Sequence, residues 1–69
     1  MEERDFLAMT FQEAIRFAHA STVVSSQDHS SYAGPDIHVW YDNGLLVRYG
    51  VDNQPTSVQL CGTYLTLYE

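Results

Sequence analysis

Apolar side chains recur at helical spacing between residues 10 and 22. Thr10 and Glu13 have the spacing of a capping box, in which each side chain binds the backbone N–H of the other residue. The pattern predicts an amphipathic helix from about Thr10 to Ser21, which packs one stripe against a flat partner. On a helical projection an arc of roughly 160° holds the residues of that stripe, namely Phe11, Ala14, Ile15, Phe17, Ala18 and Thr22. Phe6, Leu7 and Met9 are expected to form a lead-in turn before the helix.

Alternating apolar and polar positions predict a β-hairpin in the middle of the chain. The segments 37–41 and 45–51 alternate and flank the turn sequence Asp42-Asn43-Gly44. A three-residue loop with Gly44 in the left-handed conformation pairs Tyr41 with Leu45, Val39 with Val47 and Ile37 with Tyr49, and so places all six on one face. A two-residue turn would mix polar and apolar side chains on both faces. We therefore expect the three-residue loop, with His38, Trp40, Leu46 and Arg48 on the other face.

The remaining segments complete a prediction of the fold class. Residues 25–36 are rich in serine, contain a Gly-Pro pair and lack periodicity, so they are expected to form a loop. Residues 57–60 form a further strand, and the apolar alternation changes phase at Cys61-Gly62, which indicates either a β-bulge or a tight turn before Leu65 and Leu67. The whole chain, residues 1–69, is predicted to be one small acidic α+β domain, with one amphipathic helix packed on a three- or four-stranded antiparallel sheet.

Charge composition narrows the classes of partner. The chain has nine acidic and three basic residues, no lysine, and a formal net charge of −6. Such a surface repels nucleic acid and acidic membranes and attracts basic protein surfaces. The one cysteine excludes an internal disulfide, the N-terminus is acidic, and no apolar stretch approaches the length of a membrane span. We expect a small, complete cytoplasmic protein, monomeric or homodimeric, that binds neither nucleic acid nor membrane directly.

The residues that could carry chemistry do not form a recognisable catalytic or metal-binding pattern. His19, His29, His38 and Asp28 lack the spacing of a zinc site. Cys61 has no basic neighbour that would lower its pKa, so it is expected to be an inert, buried thiol. The four glycines fall singly at turns and make no phosphate-binding loop. We therefore expect a protein that is not an enzyme and that uses no cofactor or metal.

An acidic binding surface is the remaining candidate site. Most of the carboxylates occur at the ends of the predicted elements, and loops at one edge of a small sheet can lie close together. The residues expected to contact a partner are Asp28, Asp36, Asp42, Asp52 and Glu13. Turn formation is the competing role for any one of these aspartates.

Taken as a whole, the short, acidic and lysine-free chain resembles the small phage-encoded anti-CRISPR proteins. The resemblance covers the whole chain and rests on its size, its charge, the helix start at Thr10-Phe11-Gln12-Glu13 and the hairpin at Val39-Trp40-Tyr41-Asp42-Asn43-Gly44. Among these proteins it is most similar to inhibitors of type I systems that act as DNA mimics. That group shares no sequence motif, so no residue role carries over. The resemblance implies an inhibitor, located in the host cell of a phage or mobile element, that binds a basic DNA-recognition surface of a Cascade complex and blocks target DNA.

Three other classes of function remain open. An adaptor subunit of a larger assembly would show an exposed apolar face at Trp40, Leu46 and Tyr68. An antitoxin-like protein would bind a basic toxin. A small enzyme would need a deep pocket that converges on His29 or His38.

Overall fold

The computed structural model describes residues 2–66, which form a five-stranded antiparallel sheet with two helices packed against it. The strand order follows the chain without a crossover, from β1 to β5. The elements are α1 (Glu3–Leu7), α2 (Phe11–His19), β1 (Val23–Asp28), β2 (Ile37–Tyr41), β3 (Leu46–Tyr49), β4 (Pro55–Leu60) and β5 (Thr63–Thr66), with a 3-10 turn at Val51–Asn53. The α+β class is therefore confirmed, with five strands where three or four were predicted.

Helix α2 begins where the capping box predicted. The Thr10 hydroxyl accepts a hydrogen bond from the Glu13 N–H at 3.1 Å, and the Glu13 carboxylate accepts one from the Thr10 N–H at 2.9 Å. The helix ends at His19, two residues before the predicted end, because the chain turns at once into strand β1. Phe17 lies at the margin of the apolar arc and is 42% exposed, so its predicted place in the packed stripe was wrong.

The β2–β3 hairpin has the predicted register. Val39 is opposite Val47, Ile37 is opposite Tyr49, and the Tyr41 N–H donates to the Leu45 carbonyl at 2.9 Å. Gly44 has a φ of +92°, which is the left-handed conformation that the three-residue loop requires.

Strand β1 was missed in the sequence, where residues 25–36 were predicted to form a loop. The structure places 23–28 in an antiparallel pair with β2, so only residues 29–36 connect the two strands. Every residue of β1 is exposed because the strand lies at the edge of the sheet. Because none of its residues is buried, β1 lacks the apolar alternation that sequence analysis detects, whereas β5 at the other edge has it around the buried Leu65.

The change of phase at Cys61-Gly62 is a tight turn between β4 and β5. Leu60 is opposite Thr63, and Cys61 has a φ of +54°. Cys61 is exposed, so the prediction of a buried thiol was wrong. Val58 is opposite Leu65, so the turn restores a common apolar face, whereas Leu67 lies outside the described residues.

One face of the sheet carries the core. Its buried side chains come from both helices and from strands β2 to β5 and the turn before β3, and they are Phe6, Phe11, Ala14, Ile15, Ala18, Tyr41, Leu45, Val47, Val58, Leu60 and Leu65. The lead-in turn is the short helix α1, whose Phe6 is fully buried. The predicted packing of the amphipathic helix on the antiparallel sheet is thereby confirmed. The opposite sheet face, named here the open face, has no helix on it within residues 2–66.

Candidate partner-binding surface

The predicted carboxylates are divided between the two ends of the sheet. In this antiparallel order the β1–β2 and β3–β4 connections lie at the same end of the sheet. We call this end the loop end, and it consists of Asp28 and residues 29–36 and 50–54. Asp28, Asp36 and Asp52 are all at the loop end. The two loops approach each other there, since the Pro35 carbonyl oxygen lies 4.0 Å from where a Cβ on Gly50 would stand.

Asp42 and Glu13 lie away from the loop end. Asp42 is in the β2–β3 turn at the other end of the sheet, where its N–H donates to the Thr22 carbonyl at 2.9 Å. Its carboxylate is also 3.4 Å from the Thr22 N–H, so it holds the turn against the start of β1. Glu13 caps α2, and the hydrogen bonds to Thr10 lower the pKa of its carboxyl. The structure therefore does not bring all five predicted residues to one surface.

Asp36 is the most constrained carboxylate at the loop end. Arg48 Nη2 donates to its Oδ2 at 3.1 Å, and His38 Nε2 lies 3.1 Å from its Oδ1. The hydrogen bond from Arg48 lowers the pKa of Asp36, with His38 as a smaller cause in the same direction. Asp36 therefore stays ionised, but part of its charge is balanced within the chain.

Asp28 and Asp52 are the less compensated carboxylates at this end. Asp28 Oδ1 accepts a hydrogen bond from the Ser30 N–H at 2.8 Å, and the hydrogen bonds from Ser30 lower the pKa of Asp28. Asp52 has a φ of +58° within the β3–β4 connection, a conformation that aspartate tolerates better than most residues. Both side chains are exposed. The loop end therefore presents negative charge at neutral pH.

The open face carries two rows of side chains across the sheet. In the first row successive neighbours are Ser25, Trp40, Leu46, Gln59 and Tyr64, and in the second they are Gln27, His38, Arg48, Ser57 and Thr66. Trp40 and Leu46 are half-buried, and Tyr64 is 62% exposed. Tryptophan, tyrosine and arginine are the residue types most enriched at the energetic centres of protein interfaces.

Tyr64 lies on this face, although the apolar face predicted from the sequence did not include it. The predicted apolar face contained Trp40 and Leu46, which do lie here, together with Tyr68, which is outside the described residues. The signal for Tyr64 was available, because it precedes the core residue Leu65 and neighbouring strand residues face opposite sides.

A stack of aromatic rings connects the open face to the loop end. The rings of His29 and His38 are 4.2 Å apart, and His38 is 6.1 Å from Trp40. Gln27 Oε1 lies 2.8 Å from His29 Nε2 and holds that ring beside the sheet. Asp36, which contacts His38 and Arg48, joins the loop end to this face.

Two further features bear on other classes of function. Among residues 2–66 no group of three or more histidine, cysteine, aspartate or glutamate side chains is arranged to hold a metal ion. In the same part of the chain, no helix has both the length and the apolar character needed to cross a membrane.

Comparison with known protein families, with characterised proteins and with solved structures finds no match to this chain. The site must therefore be interpreted from its own geometry.

Proposed function

We propose that this protein is a non-catalytic inhibitor that binds a basic, DNA-accepting protein surface and excludes the DNA from it. The observation that carries the proposal is the juxtaposition of Asp28, Asp36 and Asp52 at the loop end of a chain with a net charge of −6. Carboxylates on adjacent loops present negative charge to a partner in the way that successive phosphates do. Such charge accelerates the encounter with a basic surface and disfavours other partners.

The ion pairs within the chain leave an excess of negative charge at the loop end. Arg4 in the first turn of α1 pairs with Glu2, just before the helix, at 3.2 Å, and Arg48 pairs with Asp36. Among residues 2–66, Arg48 is the one arginine on the loop-end and open-face surface, and it pairs with Asp36, so within this part of the chain Asp28 and Asp52 have no arginine partner. A DNA-recognition surface of a type I CRISPR effector complex is the partner that the resemblance implies, and we propose it as the first partner to test.

The decisive experiment measures binding to a purified type I effector complex over a series of salt concentrations. The test variant Asp28→Asn/Asp52→Asn removes two charges at the loop end and keeps the Asp36–Arg48 pair. The matched control Glu3→Gln/Asp42→Asn also removes two charges, but at the end of the sheet opposite the loop end, where Glu3 accepts a hydrogen bond from Thr63 at 2.9 Å. We expect the first variant to weaken binding at low salt by about tenfold and the control to weaken it by less than about threefold.

Target DNA should also displace the wild-type protein from the complex. Binding that does not change with salt, or that persists alongside the DNA, would refute the proposal. Equal losses in the two double variants would show that net charge matters and that the loop end does not.

A second candidate function is favoured by the open face. Trp40, Leu46 and Tyr64 form a half-exposed apolar row of the kind that an adaptor subunit uses to join a larger assembly. Under this alternative, Trp40→Ala weakens the binding free energy by about 2 kcal/mol or more, as expected for a residue at the centre of an interface. Binding of the wild-type protein persists at high salt. The salt series and the Trp40 variant together separate the two functions.

A further inference from the structure

A groove opens on the helix side of the sheet, beyond the area that the helices cover. The groove is shallow and open to solvent, with a volume of about 340 Å³. Its apolar lining comes from Val23, Ile37 and Val39, and the rings of Tyr41 and Tyr49 also line it. Because β1 extends the sheet past α2, this part of the helix-facing surface has a floor of strands without a helix over it. This volume is at the lower end of the range found for ligand-binding pockets.

The two tyrosine hydroxyl groups of the groove are bound to each other. Tyr41 Oη and Tyr49 Oη are 2.7 Å apart, and His19 Nε2 lies 2.8 Å from Tyr49 Oη. Burial raises the pKa of Tyr49 far above its ordinary value, so its hydroxyl remains neutral at physiological pH. The two rings are thereby held in place, and they offer a ligand their aromatic surfaces rather than free hydroxyl groups.

The charge near the groove is negative. Asp28 is opposite Ile37 in the β1–β2 register, and paired residues of antiparallel strands project to the same face, so Asp28 stands on the groove side, beside the groove and outside its lining. Its carboxylate accepts a hydrogen bond from the Ser30 N–H. Asp52 directly precedes Asn53, which also lines the groove. Arg48 lies on the opposite face of the sheet, and among residues 2–66 no arginine lines the groove. An anionic ligand would therefore be repelled.

Arginine has the chemistry that this combination of surfaces fits. Its aliphatic stem packs on apolar side chains, its planar guanidinium stacks on aromatic rings, and its charge pairs with carboxylates. A purely aliphatic side chain would form no ion pair with the Asp28 carboxylate. DNA-accepting proteins hold phosphates largely with arginine and lysine, so a basic partner of the proposed kind has such side chains at its surface.

We propose that the groove binds an arginine side chain supplied by the basic partner. This inference rests on the proposed function and names the partner residue type that the site engages. The aliphatic stem lies along Ile37 and Val39, the guanidinium reaches Tyr49, and Asp28 balances its charge.

The test uses the full chain, labelled with 15N, and the peptide acetyl-Gly-Gly-Arg-Gly-Gly-amide at millimolar concentration. The same peptide with citrulline in place of arginine keeps the shape and removes the charge. We expect the amide signals of Ser26, Val39 and Asn53 to shift with the arginine peptide, and the citrulline peptide to bind about threefold to fivefold more weakly. Equal shifts from both peptides, or shifts confined to residues outside the groove, would overturn the inference.

Two matched pairs of variants locate the binding. Ser26 lines the groove, whereas the adjacent Ser25 is opposite Trp40 and faces the open side. Ser26→Phe should reduce binding of the arginine peptide by about tenfold, as expected of a filled site, and Ser25→Phe should leave it unchanged. Asp28→Asn should weaken binding about twofold to fivefold, and Asp42→Asn at the other end of the sheet should not. Equal effects within either pair would overturn the inference.

The result can be separated from the fate of the proposed function. If the peptide does not bind but the effector complex still binds in a salt-dependent manner and competes with DNA, only the inference about the arginine groove is refuted. If the peptide binds at the groove but binding of the complex does not depend on salt, the proposed inhibitor function is refuted and the inference about the groove stands.

Discussion

The two faces of the sheet use the same strands for different purposes. On the helix side Leu45, Val47 and Val58 have no exposed surface, and they pack against Phe11, Ile15 and Ala18. On the open face Trp40 and Leu46 are only half-buried, and Tyr64 is 62% exposed. Alternation along each strand sends neighbouring residues to the two environments.

The difference between the faces separates stability from recognition. Burial of the helix-facing side chains supplies the free energy of folding, because it removes apolar surface from water. The open face keeps large apolar side chains where water reaches them, next to charged loops. Substitutions on the helix side should therefore reduce stability, and those on the open face or at the loop end should alter binding in a protein that remains folded.

The largest expected effect is on the free energy of unfolding, and it is tested by substituting two neighbouring leucines that lie on opposite faces of the sheet. Leu45→Ala should lower the free energy of unfolding by about 3 kcal/mol, because it opens a cavity in the core. Leu46→Ala should cost about 1 kcal/mol or less, because that side chain is already partly hydrated. Denaturant titration of both variants measures the difference. Similar losses would mean that the open face contributes to stability as much as the core does.

A smaller effect is expected at the cap of the helix that covers the sheet. Thr10→Ala removes the side-chain acceptor for the Glu13 N–H and should cost about 1 kcal/mol. In a domain of this size that loss lowers the melting temperature by about 4–8 °C. Glu13→Gln is the control, since glutamine can still complete the capping box. A melting temperature unchanged by Thr10→Ala would show that packing alone holds α2.

The next effect is the loss of stability at acid pH, which depends on the charged residues beside the open face. The pKa of Asp36 is lowered, chiefly by its hydrogen bond from Arg48. A carboxyl whose pKa is lowered by folding stabilises the protein above its unfolded pKa, and that contribution is lost as pH falls through the folded value. We expect stability to decline below about pH 4, with Asp28 and Glu13 acting in the same direction. In Asp36→Asn the decline should be shallower, and an acid profile that superimposes on that of the wild type would contradict this reading.

The smallest effect is expected at Cys61, in the turn that joins β4 to β5. Its side chain is exposed, so Cys61→Ser should change the free energy of unfolding by less than about 0.5 kcal/mol. Binding to the partner should also be unchanged. Loss of activity in a variant with unaltered stability would indicate a chemical role for the thiol and reopen the enzyme class.

The elements predicted correctly from the sequence depend on short-range physics. Thr10 and Glu13 are three residues apart, and their mutual hydrogen bonds set the start of α2 wherever the helix packs. The hairpin register follows from the parity of Val39 and Val47 around Gly44, since any slip by one residue would turn the apolar face away from the helices. Trp40 and Leu46 were placed on the open face by the same parity.

The tertiary structure alone decided which distant residues meet. Strand β1 has no apolar alternation and exists because the edge of β2 offers its backbone a partner. The loop end unites Asp28, Asp36 and Asp52 and excludes Asp42, because the strand order determines which turns share an end. Sequence reasoning likewise could not show that Arg48 binds Asp36 or that Phe17 misses the core. Local hydrogen bonding and side-chain parity are properties of the sequence itself, whereas the charge pattern of the surface depends on strand pairing between residues far apart in the chain.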